Sequence, residues 1–225
     1  MKPVVFLGPS LPRAEAKALL PEADIRPPAG QGDIYRAAQD GVPAIGLLAG
    51  IFKDAPTVRH RAIMWALAQG IPVYGASSMG ALRAAEIPEM IGVGLIYRWY
   101  RRFALLPDDA VAVTHTPREL GAQPLSDALV DIRRNLARAA RSGELPADIA
   151  NEEAMRLTAL PFADRRSPKA ARRDSQKARD AEALLRRMAH DAANGWPAVT
   201  VPQPPIVHAW LDDLRDGGCP PPHTT

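Results

Sequence analysis

Residues 71–86 read IPVYGASSMGALRAAE, and this stretch decides the fold of the 225-residue chain. An apolar run ends at Gly75, and Ser77 and Ser78 then precede a series of helix-forming residues. Continuous apolar runs bounded by small residues are typical of buried parallel strands. The segment therefore predicts a buried strand that turns directly into a helix, with two serines at the turn.

Similar strand–helix units precede this segment. Short apolar runs at 3–7 and 43–49, and a short predicted strand at 23–26, are each followed by a loop and then by residues of helical composition. Asp33 and Thr57 stand where the second and third helices begin and are expected to cap them. Such alternation within the first 90 residues indicates an α/β fold, a parallel sheet with flanking helices.

The pattern changes after Leu95. Residues 96–106 are amphipathic and predict a helix, 110–115 (AVAVTH) predict one more strand, and 126–141 predict another helix. We therefore place an α/β core at 1–140.

The remainder, 141–225, is expected to be a helical extension with a Pro-rich tail. Residues 144–195 are mostly helix formers, and one short helix is expected near 207–214. The sequence leaves open whether this extension packs on the sheet. Its basic run at 165–187 could contact an acidic protein or RNA, although Lys/Arg-rich helices are more often solvated surfaces. No aromatic residues interleave with the charges, so the run offers no stacking platform for single-stranded nucleic acid.

The composition argues against several classes of protein. One cysteine and five scattered histidines offer no disulfide framework and no metal-ligand spacing, and Cys219 in the tail is expected to be exposed. A net charge of +3 is too small to indicate nucleic acid by itself, and no apolar run is long enough for a membrane span. We expect a cytoplasmic protein without a metal ion or other cofactor.

The two serines lie where an α/β sheet places its site, at the carboxyl ends of the strands. Ser78-Met79-Gly80 matches the second half of a nucleophile elbow, although Ala76 replaces the first glycine. The N–H groups of Met79 and Gly80, at the helix start, can stabilise an oxyanion or bind a phosphate. The alternative is that Ser77 or Ser78 only caps the helix.

Several other residues are expected at or near the same edge of the sheet. Candidate ligand-binding residues follow the first strand (Gly8, Pro9 and Ser10), begin the second helix (Asp33) or lie on the helix after Ser78 (Arg83 and Glu86). Each also has a structural interpretation: Ser10 and Asp33 are typical helix caps, and Arg83 and Glu86 are spaced to form an ion pair.

A serine nucleophile needs a base, and three candidates lie near the preceding strand. Lys53 lies on the loop after strand 43–49, and His60 and Arg61 begin the next helix. Lysine acts as a base only when burial lowers its pKa, whereas arginine stays protonated but can hold a carboxylate or thiocarboxylate. All three also fit a solvated helix start.

Taken together, these segments resemble the TfuA family over roughly residues 3–140. The similarity rests on 5–11 (VFLGPSL), 32–37 (GDIYRA), His60 with 63–67 (IMWAL), and above all 75–86 (GASSMGALRAAE). The resemblance implies a partner of YcaO enzymes in backbone thioamidation of ribosomally made peptides. Such a partner hydrolyses a thiocarboxylated, ThiS-like sulfur carrier and helps to recruit the precursor peptide, while YcaO uses ATP to activate the amide.

The resemblance further implies a Ser–Lys pair with Ser78 as the nucleophile. The family pattern has lysine where Arg61 stands, so Lys53 would have to replace it as the base. In that case Arg61 or Arg83 would hold the anionic carrier terminus. The competing hypothesis is a non-catalytic adaptor that docks YcaO and its peptide. A phosphate- or nucleotide-binding module is a third, and the incomplete motif at Gly92-Val93-Gly94 and the lack of a P-loop argue against it.

Overall fold

The computed structural model describes residues 1–51, 57–103, 107–116, 120, 123–168 and 175–222. In these ranges the chain forms one parallel sheet of five strands in the order β2-β1-β3-β4-β5. The strands are β1 Val4–Phe6, β2 Asp24–Arg26, β3 Ile45–Leu47, β4 Val73–Gly75 and β5 Ile91–Gly92. Parallel pairing throughout, with helices between the strands, confirms the predicted α/β class.

Helices follow the strands in the N-terminal half and predominate in the C-terminal half. They are α1 Arg13–Leu19, α2 Asp33–Gln39, α3 His60–Ala68, α4 Met79–Glu86, α5 Leu95–Arg102, α6 Leu129–Arg141, α7 Ala147–Ala159, α8 Gln176–Asn194 and α9 His208–Asp216. Short 3-10 helices at Asp108–Val111 and Phe162–Asp164 lie between α5 and α8.

Helices cover both faces of the sheet because successive side chains of each strand point to opposite sides. Val4 and Phe6 of β1 join one apolar cluster, to which α2, α3 and α9 contribute. Val5 joins the other, which α1 and α8 complete.

The extension packs back on the sheet through α8, which answers the question that the sequence left open. Leu184, Leu185 and Met188 of α8 are fully buried in the second apolar cluster. Tyr74 of β4 donates a hydrogen bond to Asp191 of the same helix at 2.7 Å. Helix α8 is therefore part of the sheet's core.

Four local predictions were wrong. Residues 110–115 form no strand: a 3-10 turn ends at Val111, and His115 makes a single antiparallel bridge to Pro124. The N-caps of α2 and α3 are Gly32, whose φ is 82°, and Arg59, where the sequence predicted Asp33 and Thr57. Cys219 is buried, because the segment after α9 folds back against the start of α2 and leaves the thiol 3.2 Å from Nη1 of Arg36.

Within the described ranges, no helix is both long and apolar enough to cross a membrane. The same residues contain no cluster of three or more His, Cys, Asp or Glu side chains that could hold a metal ion.

Candidate active site

A cleft of about 540 Å³ opens at the carboxyl edge of the sheet. Pro9 and Ser10 after β1, and Ser78 and Met79 at the start of α4, line its sheet side. The opposite wall is formed by residues 111–115 and 161–163, and Lys177 of α8 also lines the cleft. The cleft therefore lies where an α/β fold is expected to bind its ligand.

Ser78 occupies the N-cap position of α4 but does not cap the helix with its side chain. Its hydroxyl donates instead to the carbonyl oxygen of Val111, at 3.3 Å. The preceding residue, Ser77, has a φ of 68°, a left-handed conformation that is strained for a residue with a side chain. This strained turn presents the Ser78 hydroxyl to the cleft, as in a nucleophile elbow.

Lys177 brings a buried amine to the same carbonyl. Its Nζ donates to the oxygen of Val111 at 2.7 Å, and only 4% of the residue is exposed. Burial lowers the pKa of Lys177 from 10.5 to about 8, although the charge of Asp131 acts in the opposite direction. With a pKa of about 8, roughly a tenth of this amine is neutral at pH 7 and about half at pH 8, and the neutral form is the one that a general base requires.

The N-terminus of α8 is held in place by Asp131 of α6. The Asp131 carboxylate accepts hydrogen bonds from the hydroxyl of Ser175 and the backbone N–H of Gln176, both at 2.7 Å. Burial raises the pKa of Asp131, and its hydrogen bonds and the charge of Lys177 oppose that rise. Ser175 in turn caps α8 by accepting from the N–H of Ala178 at 3.2 Å. These contacts set the position from which Lys177 reaches the cleft.

The wall that carries Val111 is braced by a buried arginine. Arg165 is 2% exposed and forms an ion pair of 2.8 Å with Asp109, in the 3-10 helix that ends at Val111. The same guanidinium donates to the carbonyl oxygens of Asp109 and Leu160, each at 3.0 Å. Arg165 thus ties the wall to the segment after α7.

The start of α4 offers unused hydrogen-bond donors beside Ser78. Among the residues that the structure describes, the N–H groups of Met79 and Gly80 have no backbone acceptor outside the helix. The backbone of Gly80 lies directly against the carbonyl of Leu47, so no side chain fits there. The first turn of α4 is therefore packed tightly on β3, and its donors are available to an anion at Ser78.

The loop after β1 forms one rim of the cleft. A Cβ atom on Gly8 would lie 2.7 Å from the Cβ of Ala49, so glycine is needed for the close approach of the two loops. Pro9 lines the cleft, and the hydroxyl of Ser10 is buried without a hydrogen-bond partner in the described structure. A buried hydroxyl without a partner is suited to donate to a bound ligand.

The structure places His60 and Arg61 away from this cleft. The His60 ring lies 2.8 Å from the carboxylate of Glu86, and the Arg61 guanidinium donates to the carbonyl of Pro205 at 2.9 Å. Glu86 also forms the expected ion pair with Arg83, at 2.6 Å. None of these four side chains lines the cleft.

Asp33 is also not brought to Ser78. Asp33 accepts from the N–H of Gly30 at 2.7 Å and pairs with Arg36, at the start of α2. Lys53 lies outside the described residues.

Sequence reasoning missed Lys177 because it interpreted the surrounding basic run as solvated. A signal was nevertheless present: Lys177, Ala181, Leu184 and Met188 follow one another at helical spacing, and all four are buried on one face of α8. A lysine within an apolar stripe is a candidate for a buried, functional amine.

Comparison with family models finds one described as TfuA-like protein, which matches residues 49–166. This match spans more than half of the chain and includes Ser78, Val111 and Arg165. Lys177 lies beyond it. No curated protein matches the chain. The chain belongs to the TfuA-like protein family.

Proposed function

We propose that this chain hydrolyses a thiocarboxylated, ThiS-like sulfur carrier and delivers sulfide to a YcaO enzyme that thioamidates a precursor peptide. Ser78 is the nucleophile and Lys177 the general base. The observation that supports this assignment is the shared carbonyl of Val111, which holds the hydroxyl and a buried amine of lowered pKa beside one another in the cleft. Family membership supports the pathway.

In the first step, the Ser78 hydroxyl turns from the Val111 carbonyl to the neutral amine of Lys177, which accepts its proton. The oxygen attacks the thiocarboxylate carbon, and the N–H groups of Met79 and Gly80 stabilise the oxyanion. The carbon–sulfur bond then breaks, and the ammonium of Lys177 gives its proton to the departing sulfur, so that the amine is neutral again. Sulfide leaves, and the carrier remains as an ester on Ser78.

In the second step, water attacks the ester carbonyl while Lys177 again accepts a proton. The ester bond to Ser78 breaks, Lys177 gives its proton to the Ser78 oxygen, and the carrier leaves with a carboxylate. Overall, one thiocarboxylate and one water give one carboxylate and hydrogen sulfide, so water is the only co-reactant. Release next to the activated amide raises the effective concentration of sulfide at that amide. Complex formation with YcaO would therefore speed the thioamidation step.

This assignment replaces the bases considered from sequence. Arg61 stays protonated and lies outside the cleft, so it is not the base in this proposal. The proposed activity therefore does not require the lysine that the family pattern has at this position. Lys177, on another helix, supplies the amine.

The test is sulfide release from a purified thiocarboxylated carrier. We expect wild-type protein to release sulfide, and Ser78→Ala and Lys177→Met to slow release by about 10²–10⁴-fold. Lys53→Ala tests the other candidate base, and Lys2→Met, at an exposed lysine, controls for loss of a positive charge. Release that requires Lys53 but survives Lys177→Met would assign the base elsewhere.

The pH dependence gives a second readout. Because the base acts in its neutral form, kcat/KM is expected to rise with pH and to level off above pH about 8. Absence of release by wild-type protein, together with thioamidation that survives Ser78→Ala, would favour the non-catalytic adaptor instead.

A further inference from the structure

A second groove, of about 620 Å³, lies between α5 and α6. Of the residues that the structure describes, none lines both this groove and the cleft at Ser78. Its walls are two helical stripes: Leu95, Trp99 and Phe103 recur every four residues along α5, and Val130, Arg134, Ala137 and Arg141 recur every three or four along α6. Two such stripes side by side form the kind of groove that accepts a third helix.

The groove combines apolar surface with unpaired positive charge. Phe103 is 53% exposed at one end, and Trp99 is only partly buried. Arg133, Arg134 and Arg141 line the α6 side, and none of them forms an ion pair with a carboxylate of the described residues.

One guanidinium is particularly informative. Nη1 of Arg134 is buried and has no hydrogen-bond partner in the part of the chain that the structure describes. A buried donor without an acceptor costs free energy, and a ligand oxygen would remove that cost.

The two helices that form the groove carry charge almost entirely of one sign. Helices α5 and α6 carry seven arginines and a single carboxylate, Asp131, which binds the N-terminus of α8. Such a field attracts an acidic partner and repels a basic one.

We infer that this groove docks an acidic amphipathic helix of a partner protein. Leucine-like side chains of the guest would pack on Trp99, Phe103 and Ala137, and its carboxylates would bind the arginines. Arg134 and Arg141 are separated by seven residues, or roughly 10 Å along the helix. A single small anion does not span that distance, whereas carboxylates two turns apart on a helix do.

The proposal does not depend on hydrolysis at Ser78, and its test uses binding alone. The probe is a fluorescein-labelled 18-residue peptide with leucine at helical spacing and glutamate at the other positions. Its binding to the full chain is measured by fluorescence anisotropy. We expect saturable binding that weakens as salt is raised, because the arginines contribute charge attraction.

Three variants locate the site. We expect Arg134→Glu and Arg141→Glu each to weaken binding at least tenfold, and Phe103→Ala to weaken it at least threefold. Arg186→Glu makes the same charge change at an arginine of α8 outside the groove and is expected to leave binding unchanged. Arg141 is exposed, so its variant reports on docking even if Arg134→Glu perturbs the fold.

Two control ligands complete the design. A peptide with lysine in place of every glutamate is expected not to bind. Equal binding of that peptide, or unchanged affinity in both Arg134→Glu and Arg141→Glu, would overturn the proposal. Tighter binding of an oligouridylate than of the acidic peptide would overturn it in favour of nucleic acid.

Discussion

Ser78 and Lys177 donate hydrogen bonds to the same acceptor, the carbonyl oxygen of Val111, at 3.3 and 2.7 Å. The hydroxyl comes from the strand–helix turn after β4, and the amine from a helix of the C-terminal extension. The carbonyl thus lies at the point where two distant parts of the chain meet. Arg165 braces the segment that carries the Val111 carbonyl, and Asp131 holds the helix end that carries the Lys177 amine.

Replacement of Lys177 by methionine is expected to stabilise the protein at neutral pH. The folded-state pKa is lowered to about 8 from 10.5, so the folded state disfavours the charged form and the unfolded chain binds more protons between these values. Stability therefore increases as pH rises from about 8 to 10.5. Below pH 8 the folded state bears the full cost of burying the charged amine, which is about 3 kcal/mol. The hydrogen bond from Lys177 to Val111, which the substitution removes, offsets part of this gain.

We therefore expect Lys177→Met to raise the free energy of unfolding by about 1–3 kcal/mol at pH 7 and by much less near pH 10. Urea unfolding at both pH values measures the difference, with Lys2→Met as a control for an exposed lysine. A Lys177→Met protein that is less stable than wild type at pH 7 would contradict the burial cost.

Asp131→Asn is expected to change catalysis through Lys177. The neutral amide removes the negative charge that partly counteracts burial, so the pKa of Lys177 falls further below its wild-type value. The rise of kcat/KM is then expected at lower pH. A purely structural role for Asp131 would reduce the rate without this shift.

The same substitution keeps one acceptor oxygen for the N-terminus of α8 and removes a buried charge that the folded state disfavours, as the raised pKa of Asp131 indicates. We therefore expect it to change the free energy of unfolding by less than about 1 kcal/mol. Glu182→Gln, on the exposed part of α8, is the matched control and is expected to change neither quantity. An unshifted pH profile in Asp131→Asn would remove the residue from the mechanism.

Arg165→Met is expected to be strongly destabilising. The substitution leaves the carboxylate of Asp109 unpaired and removes the donors to two carbonyls, at an estimated cost of about 3–5 kcal/mol. Its neighbour Arg166 is exposed, and Arg166→Met should cost less than about 0.5 kcal/mol. Thermal and chemical unfolding of the two variants measures the difference in their free energies of unfolding. Equal stabilities would show that the contacts of Arg165 do not stabilise the fold.

Substitutions at Ser77 test whether the turn before Ser78 is strained. Glycine adopts a φ of 68° without steric cost, whereas valine is strongly disfavoured there. We expect Ser77→Gly to stay within about 1 kcal/mol of wild type and Ser77→Val to lose at least about 2 kcal/mol. Because Ser77 is fully buried and its hydroxyl has no partner in the described structure, Ser77→Ala provides a control for the hydroxyl alone. Similar stabilities for glycine and valine would rule out strain.

The sequence predicted β1 to β4 from short segments bounded by turn residues, and for β1, β3 and β4 the segment is a continuous apolar run. It did not predict β5, whose two residues, Ile91 and Gly92, are too short for a periodic pattern. It wrongly predicted a strand at 110–115. Valine and threonine in this segment favour an extended backbone, but they do not supply a partner strand. In the fold this segment crosses the strand ends and forms a wall of the cleft.

The sequence by itself determined the parallel α/β topology and the position of Ser78 at the carboxyl edge of the sheet. Both follow from local patterns, namely buried runs, turns and helix starts within a few residues of each other. Only the tertiary structure decided which amine faces Ser78. Helix α8 packs on the sheet through its apolar stripe, and Lys177 reaches the cleft because Asp131 holds its N-terminus. Contacts between residues so far apart in the chain are set by packing, which no local pattern of residues specifies.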